Sequence, residues 1–315
     1  MRRPAPTNYA GQWGARGWFD DLDGGPVHWI EFGEADNDTR PPIVFVHGLG
    51  GSHLNWVLVA PSLTRDRRAY ALDLRGFGLT PGWPRDTSIP ANVALLDRFL
   101  REVVGEPAVL VGNSMGGLIS ATRAAKDSAA IAGLVLVDPA LPPVSRRPDL
   151  GVAAMFATYV VPGVGEFAMR MMQSMQSRAT PREAVQRVID LCFADPSRVD
   201  PAMLAAAVEL VNGRKLIQGK EESFLRATRS LVWTLGRAEG YRAMLRRIDV
   251  PVLLINGEAD RLVPIAAARR AAAANPAWDT VFLPGVGHTP QLEVPGLVVD
   301  AVTSWLARNP STTAR

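Results

Sequence analysis

Apolar residues along the chain fall into two patterns. Short uninterrupted runs rich in Val, Ile and Leu recur at "PIVFVHG" (Pro42–Gly48), "AYALDL" (Ala69–Leu74), "AVLVGN" (Ala108–Asn113), "GLVLVDP" (Gly133–Pro139) and "VPVLLING" (Val250–Gly257). A weaker run, "TVFLPG" (Thr280–Gly285), closes the set. Runs without polar alternation predict strands covered on both faces. "PVHWIEFG" (Pro26–Gly33) follows Asp-Gly-Gly and predicts one arm of an antiparallel hairpin. Between the runs, helical stretches are expected at Ala91–Val104, Met115–Lys126 and Ile265–Ala274. Strands alternating with helices predict an α/β fold, a mostly parallel sheet with helices on both sides.

The alternation stops between Leu141 and Arg247, where helical patterns dominate and no clear buried strand occurs. An insertion of this kind predicts a helical subdomain over the ends of the strands. Seven of the nine methionines fall in it, and "GVAAMFATYVVPGVGEFAMRMMQSMQ" is dense in Met, Phe and Val. Met is flexible and suits an adaptable apolar surface. Met169 and Met172 are therefore candidates for binding an acyl or other greasy substrate; the same spacing also fits ordinary helical core.

Composition narrows the class without choosing a chemistry. The chain has 315 residues, 47% hydrophobic and 21% charged, which excludes a disordered chain. The net charge is +3, and the arginines are scattered in ones and twos, so no nucleic-acid partner is expected. Cys192 is the single cysteine, so no intramolecular disulfide forms. The amino-terminal "MRRPAPTNYAGQWGARGWFDD" has no apolar stretch of signal-peptide length, and no window approaches a membrane span. A cytoplasmic location is expected; the oligomeric state is left open.

The chemistry collects at strand ends. "VLVGNSMGGL" (Val109–Leu118) runs a strand into a serine fenced by Gly112, Gly116 and Gly117, the G-x-S-x-G pattern of a sharp strand-to-helix turn. Other strand ends carry "HGLGGSH" (His47–His53), "DLRGFGLT" (Asp73–Thr80), "VDPA", "NGEADRLVP" (Asn256–Pro264) and "GVGHTPQLEVP" (Gly285–Pro295). Functional groups in α/β sheets gather at these carboxyl ends. A serine, two candidate acids and a histidine thus stand there in the order Ser, Asp, His.

Four of these motifs in this order, "HGLGG", "DLRGFG", "GNSMGG" and "GEADRLVP…GVGH", resemble the α/β-hydrolase superfamily over almost the whole chain. The resemblance implies a core at 1–140 and 248–315 with a mostly parallel eight-stranded sheet, and a helical cap at 141–247. It implies Ser114 as nucleophile, His288 as general base and Asp260 as orienting acid. Asp138 also ends a strand and is the alternative acid. The chemistry agrees, because a serine hydroxyl needs an adjacent base, and the imidazole needs a carboxylate to fix its tautomer. Backbone N–H groups of Met115 and Leu49 are the expected oxyanion donors. His28 is expected to be structural, His47 to hold the oxyanion loop, and His53 to line the substrate pocket.

Within the superfamily, Ser114 disfavours dehalogenases and epoxide hydrolases, which use an aspartate nucleophile. C–C hydrolases of ring-cleavage products carry an "HGGGPG" loop and a tryptophan after the histidine. Here the loop is "HGLGGS" and His288 is followed by "TPQLE". The expectation is a carboxylic-ester hydrolase for a small-molecule apolar ester, acting through an acyl-enzyme, with no metal and no cofactor. The alternatives are C–C hydrolysis, cofactor-free haloperoxidase or perhydrolase chemistry, acyl transfer to an alcohol, and a non-enzymatic ligand receptor.

Overall fold

The continuous apolar runs lie in the middle of one sheet. A computed structural model describes residues 2–22, 24–33, 40–82, 84–144, 163–167, 180–309 and 312. Met169 and Met172 lie outside the described residues. The strands in chain order are β1 (Arg3–Pro4), β2 (Arg16–Asp21), β3 (Pro26–Phe32), β4 (Ile43–Val46), β5 (Ala69–Leu72), β6 (Ala108–Asn113), β7 (Ile131–Val137), β8 (Val252–Gly257) and β9 (Asp279–Leu283). They are ordered β1-β2-β3-β5-β4-β6-β7-β8-β9 across the sheet. The pairs from β1 to β3 and β3 with β5 are antiparallel, and all others are parallel. The eight expected strands become nine because Arg3–Pro4 pairs with Trp18 and Phe19. An exposed Arg-Pro pair at an edge gives no hydrophobic signal.

The helices are α1 (Ile89–Phe99), α2 (Met115–Lys126), α3 (Pro181–Cys192), α4 (Pro201–Gly213), α5 (Lys220–Gly236), α6 (Ala238–Leu245), α7 (Ile265–Ala274), α8 (Pro290–Glu293) and α9 (Pro295–Arg308). Alternation within each strand divides the core. Val44 and Val46 face a cluster with Phe99 of α1, Leu118 of α2 and Ala268 of α7. Ile43 and Phe45 face the other cluster, with Trp56 and with Val302 and Trp305 of α9. Every residue of β4 to β8 is buried, as a sheet covered on both faces requires.

The order reverses around β4, with β5 on one side and β6 on the other, which opens a crevice at the carboxyl ends. Among the described residues between β7 and β8 there are helices and no strand. These helices rest on the loops at the carboxyl ends. His288 N–H donates to Cys192 O at the end of α3 (2.6 Å), and Arg214 Nη2 donates to Gly76 O after β5 (2.9 Å). A Cβ on Gly50, in the loop after β4, would stand 3.6 Å from the Phe224 ring of α5. Thr87 Oγ1 also donates to Ser223 O. Among the described residues no helix is long and apolar enough to cross a membrane.

Candidate active site

Ser114 occupies the turn between β6 and α2 with φ 53° and ψ −118°. A side-chain-bearing residue at positive φ costs about 1–3 kcal/mol and persists only where its surroundings enforce it. Those surroundings are visible. Ser114 N–H donates to Val137 O (3.1 Å), and Ser114 O accepts from Leu118 and Ala140 N–H. The flanking glycines serve a purpose other than turn flexibility, since neither has a positive φ. A Cβ on Gly112 would stand 2.6 Å from Gly116 O, and one on Gly116 would collide with the Val46 and His47 carbonyls. The glycines let three backbone segments meet under the serine.

The loop after β4 lies against this turn. A Cβ on Gly48 would be 3.1 Å from Ser114 Cβ. His47 is fully buried; its Nδ1 donates to Gly48 O (2.7 Å) and its Nε2 accepts from Leu74 N–H (3.1 Å). Burial lowers its pKa to about 4, so this brace is neutral at neutral pH. Leu49 follows it, half-buried, and Met115 opens α2 with its side chain in the core. The first N–H groups of a helix have no intrahelical acceptor.

His288 and Asp260 stand on the loops after β9 and β8. His288 Nδ1 lies 2.7 Å from Asp260 Oδ2. Asp260 Oδ1 accepts from Leu262 N–H (2.7 Å) and Val263 N–H (3.0 Å). Burial alone would raise the Asp260 pKa, but His288 and these donors outweigh it and hold the carboxyl below the usual range. An ionised Asp260 accepts a hydrogen bond from Nδ1–H and so leaves Nε2 as the acceptor.

Residues that the sequence did not single out hold this pair in place. Asn113 Nδ2 donates both to Val137 O (3.0 Å) and to His288 O (3.1 Å), tying the residue before Ser114 to His288. Buried Glu293 accepts from the N–H groups of Gly287, Ala194 and Asp195 and from Arg198 Nη1. Both lie inside quoted stretches, Asn113 in "GNSMGG" and Glu293 in "GVGHTPQLEVP", but only three-dimensional proximity reveals what they hold. Cys192 is pushed up to about 12 by burial and by Asp260, which makes it an inert thiol.

Asp138, the alternative acid, is also here, fully buried at φ 43°. One oxygen each of Asp138 and Asp260 and one ring nitrogen of His288 all lie within 4.8 Å of one another. Asp260 is the acid bonded to the imidazole.

His53, expected to line the substrate pocket, is bound to Asp73 and belongs to a different cluster from His288 and Asp260. It is fully buried, with Nδ1 2.9 Å from Asp73 Oδ2 and its own N–H donating to Asp73 Oδ1 (2.7 Å). His28 Nδ1 (2.7 Å) and Leu79 N–H (2.8 Å) bind the same carboxylate. Burial would raise Asp73, but the two histidines hold it well below the usual range. His53 braces the loop after β5. With its oxygens already taken by these donors, Asp73 offers a hydrogen-bonding hub, not an open ligand. A surface cavity of about 620 Å³ at the amino end of β8, lined by Arg246, Asp249 and Trp278, shares no residue with either group.

The profile of the alpha/beta hydrolase family matches residues 43–301, which contain every residue of this site. The chain belongs to the alpha/beta hydrolase family. This hydrolase is 28% identical over 296 residues to the dihydrolipoyllysine-residue acetyltransferase component of the acetoin cleaving system of Pseudomonas putida, covering 92% of this chain and 69% of that protein. It is 27% identical to a pimeloyl-[acyl-carrier protein] methyl ester esterase of Aromatoleum aromaticum, covering 82% of this chain and 94% of the esterase. It spans 34% of the length of another curated relative. Its fold is shared with the crystal structure of Cfl2 from Burkholderia cenocepacia at a TM-score of 0.77, with 20% identity and coverage of 97% and 99%.

Proposed function

We propose that this alpha/beta hydrolase cleaves a carboxylic ester of an apolar acyl group through an acyl-enzyme on Ser114. The carrying observation is the His288–Asp260 pair, Nδ1 to Oδ2 at 2.7 Å, linked through Asn113 to the strained serine. In this reading Nε2 of His288 takes the Ser114 proton as Oγ attacks the ester carbonyl. The oxyanion is received by the N–H groups of Leu49 and Met115, and His288 returns the proton to the leaving alcohol. Water then repeats the sequence on the acyl-enzyme. The similarity to a methyl ester esterase over most of both chains supports an ester as the substrate class.

Residues 141–247 act as the cap in this reading, because their described helices already rest on the loops that carry the site. Met169 and Met172 stay candidates for substrate binding from their sequence alone. A panel of p-nitrophenyl esters of graded acyl length, run on wild type and Ser114→Ala, tests the proposal. The expected result is turnover with a burst of nitrophenol, lost in the variant. Background rates on every ester, with rapid cleavage of a vinylogous diketone, would replace it with C–C hydrolysis.

A further inference from the structure

We propose that Asp138 carries a proton and donates it to Asp260, making Asp138 a positioning residue for the acid of the triad. This rests on the triad reading above. Asp138 Oδ1 accepts from Gly257 N–H (2.9 Å), while its buried Oδ2 has no N–H or O–H donor among the described residues. No Lys or Arg forms an ion pair with it among those residues. Its side chain nevertheless sits beside Asp260, one oxygen of each lying within 4.8 Å of the other. Two carboxyl groups can share a hydrogen bond only if one is protonated.

The surroundings decide which one. Asp260 faces His288 and accepts two backbone N–H groups, all of which favour its anion. Cys192 and Arg261 also lie near it, the Arg261 guanidinium being engaged with the carbonyls of Asp190, Leu191 and Phe193. Asp138 has one N–H donor and faces Asp260, His288 and, from α8, Glu293. Complete burial and the Asp260 charge push it well above the usual carboxylate range. The pair therefore carries one proton, with Asp138 as the neutral member.

The backbone places this group deliberately. Asp138 is held at φ 43° by its N–H to Ile255 O (2.8 Å), and Ala140 N–H two residues on reaches Ser114 O (2.9 Å). A neutral donor fixes the Asp260 carboxylate without adding a second negative charge. An ionised Asp138 would hold the proton on the imidazole when it must pass to the leaving group.

The test compares fluorophosphonate labelling rates at Ser114 across pH in wild type, Asp138→Asn, Asp138→Ala and Asp260→Asn, with infrared spectra of wild type and Asp138→Asn. Asparagine mimics a protonated aspartate and tolerates positive φ. Asp138→Asn should label within about fivefold of wild type on the same pH profile, rescuing what alanine loses. Asp138→Ala should lose roughly ten- to a hundredfold, as removal of a hydrogen-bond partner from a buried charge does, with the acid limb displaced. The spectra should show the carbonyl stretch of a buried protonated carboxylic acid in wild type at neutral pH and not in Asp138→Asn. A missing band, or an Asp138→Asn loss as large as that of Asp260→Asn, overturns the proposal; so does wild-type labelling by Asp138→Ala on an unshifted profile. If Asp138→Ala does not fold, Asp138→Asn and the spectra decide. Failure of wild type to label at Ser114 would reject the triad reading instead, and the spectra would still report the proton.

Discussion

Asp260→Asn separates the tautomer of His288 from its position. Asp260 uses its two oxygens differently, Oδ1 for the N–H groups of Leu262 and Val263 and Oδ2 for His288 Nδ1. Asparagine has one acceptor oxygen, and the two backbone donors claim it. Its NH₂ then faces Nδ1, which becomes the acceptor, and the ring proton moves to Nε2. That imidazole cannot take a proton from Ser114. A wrong tautomer of this kind lowers turnover roughly ten-thousandfold, about 5.5 kcal/mol of barrier. Flipping the amide would restore the tautomer but abandon two buried N–H groups at about 1–3 kcal/mol each. The flip therefore offers no cheap escape, and the loss should be no smaller than about thirtyfold. The assay is kcat on the best p-nitrophenyl ester, with melting temperature as the control for folding. Turnover within tenfold of wild type in a folded Asp260→Asn protein would refute the reasoning.

Three further outcomes are expected. Ser114→Gly relieves the positive φ and Ser114→Ala does not, so the glycine variant should be more stable by roughly 1 kcal/mol after its extra chain entropy; an alanine variant at least as stable in urea would contradict strain at Ser114. His47 has a pKa near 4 folded against 6.5 unfolded, so stability should fall as pH drops through that window. The loss from this residue is on the order of 3 kcal/mol, and a pH–stability slope unchanged in His47→Gln would refute it. Exchanging Met169 and Met172 for Gln should weaken long-chain esters far more than acetyl esters, whereas equal losses would assign both to ordinary core.

The central strands were legible because burial on both faces makes them nearly all apolar, as in Ile43–Val46 and residues 252–255. Boundaries set by caps were less so. The first long helix begins at Ile89 behind the Ser88 cap, two residues before the expected start, and its α-helical part ends at Phe99. Leu100–Val104 continues it with wider π-type turns. Ser114, Asp260 and His288 carried local signals, whereas Asn113 and Glu293 act across 175 and up to 99 positions of sequence. The bond of His53 to Asp73 was not legible, because only the folded chain brings the loops after β4 and β5 together. The glycines around Ser114 were read as necessary for turn geometry, whereas close packing is what demands them, Gly116 against Val46 and His47 and Gly112 against Gly116.

Covalent capture of Ser114 is the most direct test. The folded protein is treated with a fluorophosphonate, digested and read by mass spectrometry, with Ser114→Ala in parallel. A single phosphonylated peptide containing Ser114, absent in the variant, is the predicted result. A folded wild-type protein labelled at another serine, or not labelled at all, would contradict the assignment of Ser114 as the nucleophile.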